Sequence, residues 1–320
     1  MSTRELTRPP HILPLYLRTA ASLVPGAHVL PGIPGSGRSI PMLELTLRDV
    51  PIERERLAAY RAVCDFAPGD LVPPTYPHIL AFPLHMALMA EPEFPFSAVG
   101  LVHLENEIRQ TRPLRIGEPL DFLVQATPFE PHPRGRTFAF LTSARVGEEL
   151  VWSERSTMLR RGAAWGGGKA PAHVSEEGGA EEAATALSGQ PAAGISRSKI
   201  SVPGDVGRRY GAVSGDRNPI HMHALGGKAF GFPRAIAHGM WTKARCLAAL
   251  EAQLPEALTV NVRFRRPVLI PATASFECAS RDGTTSFMLR SESREELHLA
   301  GSLHTGLGEE RAAASLEGVR

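Results

Sequence analysis

The sequence predicts an α+β protein built from two copies of one unit, each a curved antiparallel sheet laid on a long apolar helix. Three observations predict it: an internal repeat, one apolar helix per half followed by alternating strands, and an Ala/Gly-rich break between the halves. In the repeat, YRAVCDF from Tyr60 answers YGAVSGD from Tyr210. Arg112-Pro113 followed by Phe122 answers Arg266-Pro267 followed by Phe276, and GEEL ending at Leu150 answers REEL ending at Leu297. Each match alone is weak. Three in the same order, at shifts of about 150 residues, point to a duplicated unit.

The elements follow one grammar in both halves. A strand (MLELTLRDV, then SRSKISV) leads into a helix through Tyr60 or Tyr210. A loop is followed by an apolar helix, PHILAFPLHMALM over Pro77–Met89 in the first half and HGMWTKARCLAALEA in the second. Strands then alternate: Val102, Leu104 and Ile108 repeat at even spacing, as do Val260, Val262 and Phe264. FAFLTSARV, LVWSERSTML, TSFMLRSES and LHLAGSLHTG read as the remaining strands. Pairing the open sheet with its duplicate hides one edge of each, giving a pseudo-dimer in one chain. Between Gly162 and Gly194, 18 of 33 positions are Ala or Gly, too little apolar surface to offset ordering entropy. The expected organisation is therefore a first unit over 1–161, a linker over 162–194 and a second unit over 195–320.

Composition excludes several classes. Thirty-five basic against 33 acidic residues give a net charge of +2, no field for gripping a phosphate backbone, so nucleic acid is not expected as a partner. Apolar runs are broken well short of a bilayer span, and Pro14 and Arg18 interrupt the start, so neither a membrane span nor a secretory signal is expected. The three cysteines, Cys64, Cys246 and Cys278, are far apart and form no disulfide or zinc pattern. That suits a reducing cytoplasm.

Chemistry concentrates in SGDRNPIHMHALGGKAFGFPRAIAHGM, from Ser214 to Met240. Pro219 pushes Asn218 toward an extended conformation, so Asp216, Asn218 and His221 are expected on a turning loop rather than on one helix face. A carboxylate and a neutral imidazole together can hold, deprotonate and re-protonate one water. His238-Gly239 opens the apolar helix, where backbone N–H groups without intrahelical partners can stabilise an oxyanion. No nucleophile elbow, Walker loop, HExxH or dinucleotide glycine fingerprint is present. The chemistry implied is addition or loss of water beside an activated carbonyl.

The Gly-Asp, the Asn-Pro-x-His and the later Gly-Phe before Ala-His-Gly-Met closely resemble the signature of the MaoC-like (R)-specific enoyl-thioester hydratases, or (3R)-hydroxyacyl-thioester dehydratases. The resemblance implies a double hotdog, two bent antiparallel sheets each wrapping a long central helix. It matches Asp216 and His221 to the catalytic dyad, Gly239 to the backbone donor for the thioester oxygen and Asn218 to a supporting amide. His238, Met240 and Phe232 are expected to line the substrate, with His85 from the first half.

LVPPTYPHILAFPLHM and FPFSAVGLVHLENEI resemble the leading hotdog of two-hotdog members. The likeness covers nearly the whole chain except the linker and the first thirty or so residues. With Phe66 beside Asp65 and no Asn-Pro-x-His, the first half has lost the chemistry, and the resemblance implies that it accommodates the acyl chain, with Ala87 as a position from which to fill that groove. His223, Gly227 and Ala244 depart from the common pattern without removing the dyad.

The resemblance implies reversible hydration and dehydration in fatty acid metabolism. The expected substrate is a coenzyme A or acyl carrier protein thioester, and a homodimer is compatible with it. A non-catalytic acyl-thioester binder, a partner subunit and a hotdog thioesterase are the alternatives. No cofactor is expected, and no metal: His221, His223 and His238 lack a thiolate or acidic cluster at ligand spacing. Cys246 reads as a packed residue, and FRRP at 264–267 as a solvated strand face.

Overall fold

The computed structural model describes residues 2–24, 26–30, 32–162 and 194–306, so the linker expected over 162–194 lies, but for its two end residues, outside the described residues. Strand β1 (Ser2–Leu6) and helix α1 (Ile12–Ala21) precede the first unit. That unit contains β2 (Leu43–Val50), α2 (Arg54–Cys64), α3 (Tyr76–Met89), β3 (Leu101–Gln110), β4 (Leu120–Ala126), β5 (Glu130–His132), β6 (Gly135–Val146) and β7 (Glu149–Arg161). The second comprises β8 (Ser196–Val202), α4 (Val206–Ser214), α5 (Pro219–Met222), α6 (Ala224–Ala229), α7 (Gly239–Ala249), β9 (Leu258–Phe264), β10 (Ala272–Arg281), β11 (Thr284–Ser291) and β12 (Leu297–Thr305).

One sheet runs β1-β2-β4-β6-β7-β3-β9-β12-β11-β10-β8, with β5 beside β6. Read outward from the β3–β9 pair, β3-β7-β6-β4-β2 answers β9-β12-β11-β10-β8, which is the duplication inferred from the repeat; β1 and β5 have no counterpart. The expected edge-to-edge pairing is antiparallel, with Asn106 opposite Val262 and Ile108 opposite Val260. Arg263 and Glu105, also opposite one another, form an ion pair of 2.9 Å.

The even spacing of Val102, Leu104 and Ile108 does not mark one continuous face. The register shifts between His103 and Glu105, so a β-bulge inserts one residue and Asn106, Ile108 and Gln110 share the buried face. Helix α3 continues through Pro83, whose missing N–H is tolerated inside a buried, almost wholly apolar helix. Side chains also tie the halves together: Trp241 Nε1 donates to Val63 O at 2.8 Å, and Lys243 Nζ to Asn106 Oδ1 at 2.5 Å. Among the described residues no helix is long and apolar enough to cross a membrane.

Candidate active site

A cavity of about 400 Å³ lies between the two halves. All eight expected site residues line it: Asp216, Asn218, His221, Phe232, His238, Gly239 and Met240 from the second half, and His85 from the first.

Local chemistry fixes the segment that carries Asp216, Asn218 and His221. Helix α4 ends at Gly215, and Ser214 Oγ accepts from Asp216 N at 3.1 Å while donating to Tyr210 O at 2.8 Å. Asn218 is the N-cap of α5, its side chain accepting from Ile220 N at 3.4 Å. Asp216 and Asn218 lie on the turning loop expected, with Asn218 extended, whereas His221 sits on the short helical turn that follows. Proline at the first helical position gives up a donor that has no intrahelical partner, and its fixed φ suits the helix, so Pro219 starts this turn rather than preventing it. Gly207 lets α4 lie directly on the turn, since a Cβ there would collide with the His221 carbonyl.

Each group has a defined hydrogen-bonding state. His221 Nδ1 donates to Ile236 O at 2.8 Å, while Ile236 N donates back to Ile220 O at 3.1 Å. That tautomer leaves Nε2 with a lone pair. His238 Nε2 donates to Asp216 O at 2.9 Å, and its Nδ1 is buried without a partner among the described residues. Asp216 Oδ1 accepts from the Tyr16 phenol at 2.5 Å and from Asn218 N at 3.1 Å; Oδ2 lies 3.8 Å from His238 Nε2.

Burial alone would raise the Asp216 carboxyl, but His238, His221 and the two hydrogen bonds on Oδ1 hold it below its ordinary value. Burial lowers His221, and lowers His238 to about 3 with His221 adding to the effect. Near neutrality the site thus holds a carboxylate beside a neutral imidazole, two proton acceptors for one water.

Gly239, the first residue of α7, lines the cavity with an N–H that has no intrahelical acceptor. Its lack of a side chain leaves room for Phe264, whose ring carbons would lie a tight 3.3 Å from a Cβ. Asp216, His221 and His238 bring one ligating atom each to within 4.8 Å of one another. His223, weighed with them from sequence, is exposed and outside that group. The His238 nitrogen facing Asp216 carries a proton directed at a carbonyl.

Several lining groups escaped sequence reasoning. Tyr16 comes from α1, in the stretch that the resemblance left out. The arginines of FRRP, Arg265 and Arg266, are exposed as expected, and they also line the cavity with Arg134, Arg160 and Arg161. Strand β9 ends at Phe264, which frees the two residues after it from the sheet's alternation. Ala87 does not line the cavity; α3 presents His78, Phe82, Met86 and Met89 instead. An apolar helix without a polar face gives no sequence signal for which side faces the groove.

The first half's wall is partly polar. His78 Nδ1 lies 2.9 Å from Glu154, which also accepts from Asn106 Nδ2 at 2.7 Å. Burial would raise Glu154, yet His78 and these hydrogen bonds hold it at about 2. Burial brings Lys243, on the far side of Asn106, down to about 7. His85 hydrogen-bonds Thr142 Oγ1 at 2.8 Å and stacks on Phe140 at 4.7 Å.

Residues 189–300 match the MaoC like domain. The 3-hydroxyacyl-thioester dehydratase X of Mycobacterium tuberculosis is 36% identical over 285 residues, covering 87% of this chain and 94% of the relative. The crystal structure of HtdX from that organism superposes with a TM-score of 0.69 at 35% identity, covering 82% of this chain and all of that one. A MaoC-like dehydratase from Phytophthora capsici shares the fold at 19% identity, with a TM-score of 0.65 over 85% of this chain and 98% of that one. The chain belongs to the MaoC-like dehydratases, in their double-hotdog form.

Proposed function

We propose that this protein catalyses the reversible hydration of trans-2-enoyl thioesters to (3R)-hydroxyacyl thioesters, a hydro-lyase reaction of fatty acid metabolism. The observation that carries the reading is the meeting of the Asp216 carboxylate, the His221 Nε2 lone pair and the Gly239 N–H on one cavity. A water held by Asp216 and His221 loses a proton to the pair as its oxygen bonds to C3. The double-bond electrons move toward the thioester, and the carbonyl oxygen gains negative charge against the Gly239 N–H. The pair returns the proton to C2, so atoms and charge balance over the cycle. Asn218 supports the carboxylate through its backbone N–H and caps the turn that carries His221.

Phe232, Met240, His238 and His85 form walls of the substrate site, and the first half receives the acyl chain. Phe82, Met86, Met89 and Met158 are the lining groups that suit a hydrocarbon. The five lining arginines favour a phosphate-bearing carrier, and coenzyme A, with more phosphates than a carrier-protein arm, is the carrier this reading prefers. Both hotdogs come from one chain, so the reaction requires no second copy, and a cytoplasmic setting is in keeping with three free thiols. The test is loss of enoyl-thioester absorbance with both carriers across chain lengths. Failure to hydrate any of them would leave thioester binding or hydrolysis as the activity to measure.

A further inference from the structure

We infer that Tyr16, on the N-terminal helix outside the matched domain, is a positioning residue of the active site, fixing Asp216 so that only one carboxylate oxygen is left to act on water. The inference rests on the reading of Asp216 as the base.

Three observations converge. First, the phenol donates to Asp216 Oδ1 at 2.5 Å across 200 positions of sequence, and Asn218 N donates to the same atom at 3.1 Å. With both donors on Oδ1, Oδ2 is the oxygen left to share a water with His221 Nε2. Second, Tyr16 itself lines the cavity, as does Leu23 just beyond α1. Third, α1 is held in place from both halves. Ile12 packs on Gly215, immediately before Asp216, and Ser97 Oγ donates to Thr19 O at 2.6 Å on the first-half side. A strap with only a covering role would have no need of a polar group at this point, where an apolar side chain would fill the space.

The groups facing Asp216 are Tyr16 from α1, Tyr210 from α4, His221 from α5 and His238 at the start of α7; the neighbouring Arg217 is exposed. Burial, and then the Asp216 charge, push the Tyr16 phenol far above its ordinary value, so it remains a donor wherever the enzyme works. It stabilises the charged form of Asp216, alongside the two histidines and Asn218 N. Removing it raises the Asp216 pKa, and the acidic limb of the rate profile moves to higher pH.

The experiment is Tyr16→Phe in the full-length protein, with kcat and KM for a four-carbon enoyl thioester measured from about pH 4 to pH 9. The substitution keeps the ring and its packing. The expected result is a fall in kcat of about ten- to a hundredfold, since a hydrogen bond to a charged group is worth that much. KM should be nearly unchanged, the acidic limb shifted upward and the thermal midpoint preserved. A kcat within about twofold of the unsubstituted enzyme, with the limb unmoved, overturns the inference and leaves α1 a structural strap. Asp216→Asn runs beside it as a control: an undiminished rate there would overturn the base reading itself, and the inference with it.

Discussion

The imidazoles of His221 and His238 stack with ring centroids 3.7 Å apart and planes 27° from parallel. Two positive charges at that separation repel by roughly 4 kcal/mol even at an effective dielectric constant near 20. Burial therefore acts on a pair that cannot both be protonated. Burial keeps both rings neutral against these hydrogen bonds, which set the tautomer: His238 carries its proton on Nε2, donated to the Asp216 carbonyl, and His221 on Nδ1, donated to Ile236 O. The His221 tautomer leaves a lone pair on Nε2, the acceptor that the proposed reaction assigns to water.

The same burial makes the fold acid-sensitive. His85 and His238 are held at about 3 in the folded chain, against 6.5 for the ordinary group. Between those values the unfolded chain binds more protons, so stability is full above pH 6.5 and falls as pH drops toward 3. Each histidine contributes up to about 1.4 kcal/mol per pH unit across that window. Thermal midpoints measured from pH 7 down to about pH 5 should fall steadily. A flat profile would mean that these imidazoles are protonated in the folded state.

Gly207→Ala tests how the dyad is carried. The added Cβ meets the His221 carbonyl, which is backbone and cannot rotate away. Overpacking of this kind costs about 1–3 kcal/mol and should also displace His221. Both the thermal midpoint and kcat should drop. Native stability with native turnover would show that α4 and the catalytic turn can separate freely.

Breaking the buried His78–Glu154 hydrogen bond of the first half should be costly. Glu154→Ala removes the carboxylate that holds His78 and accepts from Asn106, leaving buried donors unpaired. Each buried donor left without its acceptor costs about 1–3 kcal/mol. Urea midpoints read the loss. A change below about 0.5 kcal/mol would mean that the pair contributes nothing net.

Chain-length preference reads the groove. Each methylene buried adds about 0.8 kcal/mol until the cavity is full. Ala98 lines the cavity and is nearly buried, so Ala98→Phe should lower kcat/KM on long enoyl thioesters far more than on four-carbon ones. Equal loss at every length would place the tail elsewhere.

How much of this was legible follows from where the residues stand in the chain. Asp216, Asn218 and His221 lie within six positions and carry a long signature, and the repeat exposed the duplicated fold, so both could be read directly. Tyr16 is 200 residues from its partner, on a helix with no counterpart in the repeat, and short-range spacing cannot report such a contact. The Lys243–Asn106–Glu154–His78 network draws on α7, β3, β7 and α3 and exists only once the halves are paired. The bulge at Leu104 and the cavity-facing side of α3 failed for a different reason: periodicity reports burial, not which buried face is opposite a ligand.

In the proposed reaction Asp216 and His221 together activate water for addition to C3. The most direct measurement is hydration of a four-carbon trans-2-enoyl thioester by Asp216→Asn and His221→Ala, with the C3 configuration of the native product determined by chiral analysis. Each substitution should lower kcat by about two to four orders of magnitude with the thermal midpoint preserved, and the native product should be the (R) alcohol. Near-native turnover in both variants, or an (S) product from the native enzyme, would contradict the account.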